Sequence, residues 1–222
     1  VDETANRTNL KILGNSTSAG GCFLDVKVTG ECTFNGDVDC RKLTLMGETK
    51  VNGSLVMENM KLTGECSVKG GIEGESLRGQ GEIRAESVHV DGIKFTGNLS
   101  VAGNCDAEEM QISGAVQVDG LLSAETLEIS LYGPSRAAEV GGGSVKIKRS
   151  LGGALIRPGH PGHLSFAAGL IEGDQVELQG TAAETVRGGR VVIGTGCEIG
   201  TVEYRDSLDI HQNAIVRNQM KV

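Results

Sequence analysis

The stretch "GETKVNGSLVMENMKLT", Gly47 to Thr63, sets apolar side chains at alternate positions and holds two glycines six residues apart. It is one copy of an array. The copy before it, "GECTFNGDVDCRKLTLM", starts at Gly30, and the copy after it, "GECSVKGGIEGESLRGQ", starts at Gly64. Leading glycines stand at 14, 30, 47, 64, 81, 97 and 114, always 16 or 17 residues apart. A second glycine keeps the same beat at 20, 36, 53, 70, 103 and 120, with Ser87 in its place once. Self-similarity at a fixed period marks a repeat architecture.

Within each copy the apolar period is two, which belongs to a strand whose successive side chains point to opposite faces. Two residues after the leading glycine come Cys32, Thr49, Cys66, Ile83, Leu99 and Val116; four after it come Phe34, Val51, Val68, Ala85, Val101 and Val118. Each copy closes on a further pair, such as Leu43 and Leu45 or Met60 and Leu62. A helix is excluded by this spacing and by two glycines per copy, each costing about 1 kcal/mol against alanine. Three short strands joined by single corners are too short to form hairpins. Coiling lets each strand pair with its equivalent one turn away, about 4.8 Å along the axis. The expected fold is therefore all-β, a parallel β-helix.

The second half uses a shorter motif: "VGGGSVKI" from Val140, "IEGDQVEL" from Ile171, "VRGGRVVI" from Val186 and "VEYRDSLDI" from Val202. The division expected is a lead-in at 1–13, seven coils over 14–130, a junction at 131–139 and a second β-helical segment over 140–222. An insertion at 148–169 interrupts that segment. A solenoid has no fixed upper size because each coil touches only its neighbours.

Glycine supplies 34 residues and tryptophan none, a composition poor in the aromatic lining of ligand pockets. Residues 1–130 carry 11 Lys/Arg against 20 Asp/Glu, a formal −9, and residues 131–222 carry 10 against 9, a formal +1. An acidic surface without a basic stripe bearing aromatics argues against nucleic acid as partner. Glu58, Glu75, Asp91, Glu108 and Glu125 recur as an acidic ladder, and Lys61, Arg78 and Lys94 as a basic one three residues on. They read as a solvated face with interleaved charges, the alternative being a cation-binding ladder.

Six cysteines contain no CxxC pair, and Cys32 and Cys66 share a column two coils apart, beyond disulfide reach. Cys22, Cys40, Cys105 and Cys197 also fall at apolar-column positions, so all six are expected free. Buried thiols fit a reducing compartment, the cytoplasm, with membrane association as a second reading. No apolar run approaches the roughly 18 residues of a spanning helix, and "VDETANRTNLKIL" has no signal core. The chain starts at Val1 rather than Met, which leaves a leader open. His160 and His163 in "RPGHPGH" have no nearby cysteine or carboxylate and read as a surface turn. His89 and His211 have no GxSxG or HExxH partner either. No cofactor or metal is expected, and no enzymatic activity.

With these columns in view, "GETKVNGSLVMENMKLTGECSVKGGIEGESL" resembles the repeat of the bactofilins, polymer-forming cytoskeletal proteins of bacteria. The tail "LIEGDQVELQGTAAETVRGGRVVIGTGCEIGTVEY" is similar to the larger bactofilin-related proteins of Gram-positive bacteria. The resemblance runs from about Leu10 to Val216. It implies a right-handed, three-sided β-helix that polymerises without nucleotide and acts as a scaffold in cell shape or motility. The two-part body, the insertion and the lack of proline-rich tails depart from the short members of that family.

Terminal coils of a solenoid leave unpaired strand edges and one uncovered apolar layer, which pair with another molecule unless capped. Leu10 and Ile12 at one end, and Leu208, Ile210, Ile215 and Val216 at the other, are the candidate self-assembly residues. The expected partner is a second copy of the chain, with a membrane or cell-envelope partner not visible in sequence. Two rival readings are a β-helical binding scaffold and, from "VVIGTGCEIGTV", an acyltransferase of the hexapeptide-repeat type.

Overall fold

The computed structural model describes residues 7–150 and 165–222. Its twelve strands are β1 (Thr8–Ser18), β2 (Gly21–Phe34), β3 (Val38–Val51), β4 (Leu55–Val68), β5 (Gly71–Ala85), β6 (Ser87–Val101), β7 (Cys105–Leu131), β8 (Ser135–Arg149), β9 (Phe166–Leu178), β10 (Thr181–Ile193), β11 (Glu198–Ile210) and β12 (Ile215–Lys221). They form one parallel sheet whose strand order is the order of the sequence. Neighbours in sequence are thus neighbours along the axis, and the chain is a β-solenoid of about 12 turns.

The leading glycines stack directly. Gly14 pairs with Gly30, and the ladder continues through Gly47, Gly64, Gly81 and Gly97 to Gly114. Their backbones lie so close that a side chain has no room. A Cβ on Gly64 would stand 2.9 Å from the Gly47 carbonyl carbon, and nearer still to its oxygen, while φ at Gly64 is +128°. That angle belongs to glycine because L side chains clash there.

Apolar columns run through the solenoid. One passes from Leu10 through Val26, Leu43, Met60, Leu77, Ile93 and Met110, and resumes as Leu127, Val145, Val176, Val191 and Leu208. Its neighbour starts at Ile12 and ends at Ile210 in the same manner. Gly79 occupies this second column, and Phe95 of the next coil stands directly over it, restoring the missing volume. Filling a core to near-crystal density by such offsets is what interiors require.

The second half continues the sheet. Val140, Ile171, Val186 and Val202 stack in one column, as their shared motif predicts. Between β7 and β8 the register step lengthens from 17 to 19 residues at Gln117 and Arg136, and Tyr132, Gly133 and Pro134 form the corner that takes up the extra chain. Ile147 and Phe166 are linked by residues 148–165, whereas in the next coil residues 179–180 join the equivalent Leu178 and Thr181. The extra residues therefore fall, in the order of the chain, at a single corner of the described coils, the one that the leading glycines mark earlier. Residues 148–149 close β8 and 166–169 open β9, while residues 151–164, which include His160 and His163, lie outside the described residues.

Three buried polar side chains, Thr49, Ser135 and Thr181, share one inward column with Cys32, Cys66, Ile83, Leu99 and Val116. Ser135 Oγ donates to Gly133 O and accepts the Val116 N–H, and Thr181 Oγ1 donates to Gln179 O. Among the described residues Thr49 Oγ1 has no partner, so its hydroxyl loses water and receives nothing in return. Thr49→Val keeps the shape and removes that loss. The expected gain is about 1–2 kcal/mol, read as a rise of roughly 2–8 °C in melting temperature; a lower melting point would show that the hydroxyl is bonded.

Candidate functional site at the terminal coils

At the N-terminal end β1 has, among the described residues, a partner on one side only. Ile12 is buried and Leu10 half-buried against the core, while Leu13 is 67% exposed on the outer face. Arg7 holds the start of this edge strand. Its guanidinium forms a two-pronged ion pair with Asp39 at 2.7 and 2.8 Å, reaching over the intervening coil. That carboxylate holds the Arg7 pKa above its usual value.

At the C-terminal end β12 covers only Glu198–Tyr204 of β11. Ser207, Leu208, Asp209 and Ile210 pair with β10 on one side, and among the described residues no strand lies on the other. Leu208, Ile210, Ala214 and Val216 are half-buried and pack on the core from that uncovered layer. Ile215 is placed differently: it is 58% exposed and stacks on Glu198, so it belongs to the outer face rather than the apolar layer. Five of the six candidate residues thus line the two ends, and Ile215 lies beside them.

The ends match column for column. Leu10 and Leu208 terminate one inward column, and Ile12 and Ile210 terminate its neighbour. Between them lies an outward column that begins at Lys11 and ends at Asp209. A second copy placed one coil rise beyond, about 4.8 Å, would set leucine on leucine, isoleucine on isoleucine and a cation on a carboxylate. Sequence periodicity pointed to the apolar residues but gave no sign of the Lys11 and Asp209 match, which needs the whole register.

Elsewhere the described surface carries shallow grooves. One of about 570 Å³ follows Gly142, Gly173 and Gly188, which replace the bulkier Cys40 and Met57 of earlier coils in the same column. Arg187 lines it and pairs with Glu203 at 2.6 Å and, more loosely, with Glu172 at 3.9 Å. A charge ladder paired in this way is the ordinary surface of a solenoid. Among the described residues no group of three or more His, Cys, Asp or Glu is arranged to hold a metal ion, and no helix is long and apolar enough to cross a membrane. His89 is exposed on the outer face, in register with Glu73 and Asp106; exposed His211 accepts the Asn213 N–H at a corner.

All six cysteines are free. Five are buried, but Cys22 is exposed, contrary to its expected place in an apolar column. It pairs in register with Asp39, whereas Phe23 faces Cys40, so the alternation in this irregular first copy is displaced by one residue. Burial pushes the Cys66 and Cys105 thiols up to about 12, and burial with the nearby Asp39 does the same for Cys40. Thiolate is the reactive form. Native protein at neutral pH should therefore alkylate rapidly at Cys22 alone and at all six sites once denatured; rapid native labelling of Cys66 or Cys105 would contradict this packing.

Over 107 residues, 48% of this chain and 45% of the relative, the sequence is 36% identical to the uncharacterized protein YhbE of Bacillus subtilis (strain 168). Over 104 residues, 46% of this chain and 42% of the relative, it is 33% identical to the uncharacterized protein YhbF of the same organism. The matched region covers less than half the length of either relative. No family model matches the chain, and no solved structure matches it.

Proposed function

We propose that the chain is a non-enzymatic structural protein, a bactofilin-like cytoskeletal polymer or scaffold of the cytoplasm, that assembles with copies of itself through its terminal coils. The observation that carries this reading is the correspondence of the two ends: Leu10 with Leu208, Ile12 with Ile210, and Lys11 with Asp209 close the same columns from opposite directions. Contact between unlike ends is heterologous. Because translation along the axis never closes a ring, such a contact propagates as an open filament. Growth needs no nucleotide, since the driving force is burial of what the half-buried end residues still expose, about 25 cal/mol per Å², together with pairing of two open strand edges.

Sedimentation velocity and negative-stain electron microscopy over a range of protein concentrations test the proposal. Particles that lengthen along one axis as concentration rises are expected. A monomer at every concentration and salt would overturn it in favour of a β-helical binding scaffold.

A further inference from the structure

The seven coils that hold the glycine ladder carry two unpaired charge ladders side by side. Lys11, Lys27, Lys61, Arg78 and Lys94 stand in one outward column, interrupted by Thr44 and continued by Gln111, with no carboxylate among them. Five of the 11 Lys/Arg of residues 1–130 are thus collected in one line. Glu58, Glu75, Asp91 and Glu108 form a second line three residues away around the coil, each set between register pairs of successive strands. All nine side chains are exposed, and among the described residues none of them is ion-paired. Other charges on this solenoid do pair across coils, as Arg187 with Glu203 and Arg41 with Asp25 show. Between the two lines Ser76 and Gly92 leave a shallow groove of about 440 Å³ bordered by Arg78 and Lys94.

We infer that this face is a lateral contact between two copies of the chain, packed side by side with their axes parallel, each basic column lying on the acidic ladder of its partner. Three features fit a second copy. Charges in a solenoid recur once per coil, about every 4.8 Å, so another copy of the same solenoid keeps cation opposite carboxylate over several coils without falling out of step. The patch is self-complementary, since it holds both signs and a twofold turn exchanges them. Orientation also follows. Turning one copy about a line parallel to the long axis lays acid on base at both lines. Turning it about a line across the face lays acid on acid and base on base, which repels. A single exposed ion pair contributes little, but repeated pairs in fixed register suppress other alignments. This contact goes beyond end-to-end assembly and does not depend on it.

The test compares four proteins by sedimentation at low and high salt, each in the Ile210→Glu chain as well as the parent so that end contacts are separately weakened. They are the unaltered chain, K61E/R78E/K94E, E58K/E75K/D91K, and the chain with all six changes. Thermal melts confirm that these exposed substitutions leave each protein folded. Either triple variant alone should lose lateral association at least tenfold at low salt. The sixfold variant should recover it, as should an equimolar mixture of the two triples, and high salt should abolish it throughout. Lateral association untouched by either triple overturns the inference. So does strengthening in E58K/E75K/D91K together with its tighter binding to phosphatidylglycerol vesicles, which would assign the basic column to an anionic surface. Loss of end-to-end growth in the Ile210→Glu background leaves this readout intact, so the two contacts fail separately.

Discussion

Gly64→Ala is expected to destabilise the chain by at least about 3 kcal/mol, a fall of roughly 6–12 °C in melting temperature for a chain of this size. Two causes add. The φ of +128° is strained for any residue with a side chain, and the new methyl would overlap the Gly47 carbonyl of the coil beneath. Neither is relieved by a rotamer change, because the obstruction is the Gly47 backbone rather than a side chain. Gly92→Ala is the matched control. A Cβ there meets nothing closer than Glu75 O at 4.0 Å, and no positive φ is imposed. That variant should match the parent or melt slightly higher, since alanine restricts the unfolded chain. Equal melting points for the two variants, measured by calorimetry or circular dichroism, would contradict the stacked-glycine geometry.

The second large effect separates folding from assembly. Val101 is 2% exposed and lies between Ala85 and Val118, with apolar layers above and below. Val101→Glu forces a carboxylate into that stack at a cost of several kcal/mol, or holds it protonated, and the protein should misfold. Ile210 has Ile193 on one side and, among the described residues, no strand on the other. Ile210→Glu lets the carboxylate reach water in the monomer but buries it at an end contact. Folding should therefore survive with a small loss in melting temperature, while the concentration for half-assembly should rise at least about tenfold, the equivalent of 1.4 kcal/mol. Wild-type assembly by Ile210→Glu, given assembly of the parent, would remove the end coils from the mechanism.

Much of the solenoid was legible because its physics is local and repeated. A glycine every 16 or 17 residues marks the place where successive backbones touch, and the period-two columns of Val51, Leu62 or Ile83 state which face is inside. The motifs at Ile171, Val186 and Val202 stack as their similarity predicts. Single positions were harder. Cys22 lies in a first copy whose alternation is displaced by one residue, and Ile215 looks like a column residue until its pairing with Glu198 turns it outward. Periodicity alone cannot tell the two faces of an end strand apart, because the terminal coil lacks one of the neighbours that would decide. Ladders of Lys61 and Glu58 type were visible as columns, yet whether such columns neutralise one another depends on which side chains reach across a corner. The match of Lys11 with Asp209 emerged only when eleven strand pairings were followed from end to end.

Disulfide trapping at that last pair tests the end-to-end account most directly. In a Cys22→Ser background, which removes the exposed native thiol, Lys11→Cys and Asp209→Cys would lie one coil rise apart across a contact between unlike ends, within disulfide reach. The account predicts that the doubly substituted chain, oxidised under assembling conditions, runs on a non-reducing gel as a ladder of multimers. A mixture of the two singly substituted chains should stop at dimers, and either alone should stay monomeric. Dimers from one singly substituted chain would show that like ends meet, and the absence of any cross-link from the doubly substituted chain at concentrations where the parent assembles would contradict the contact altogether.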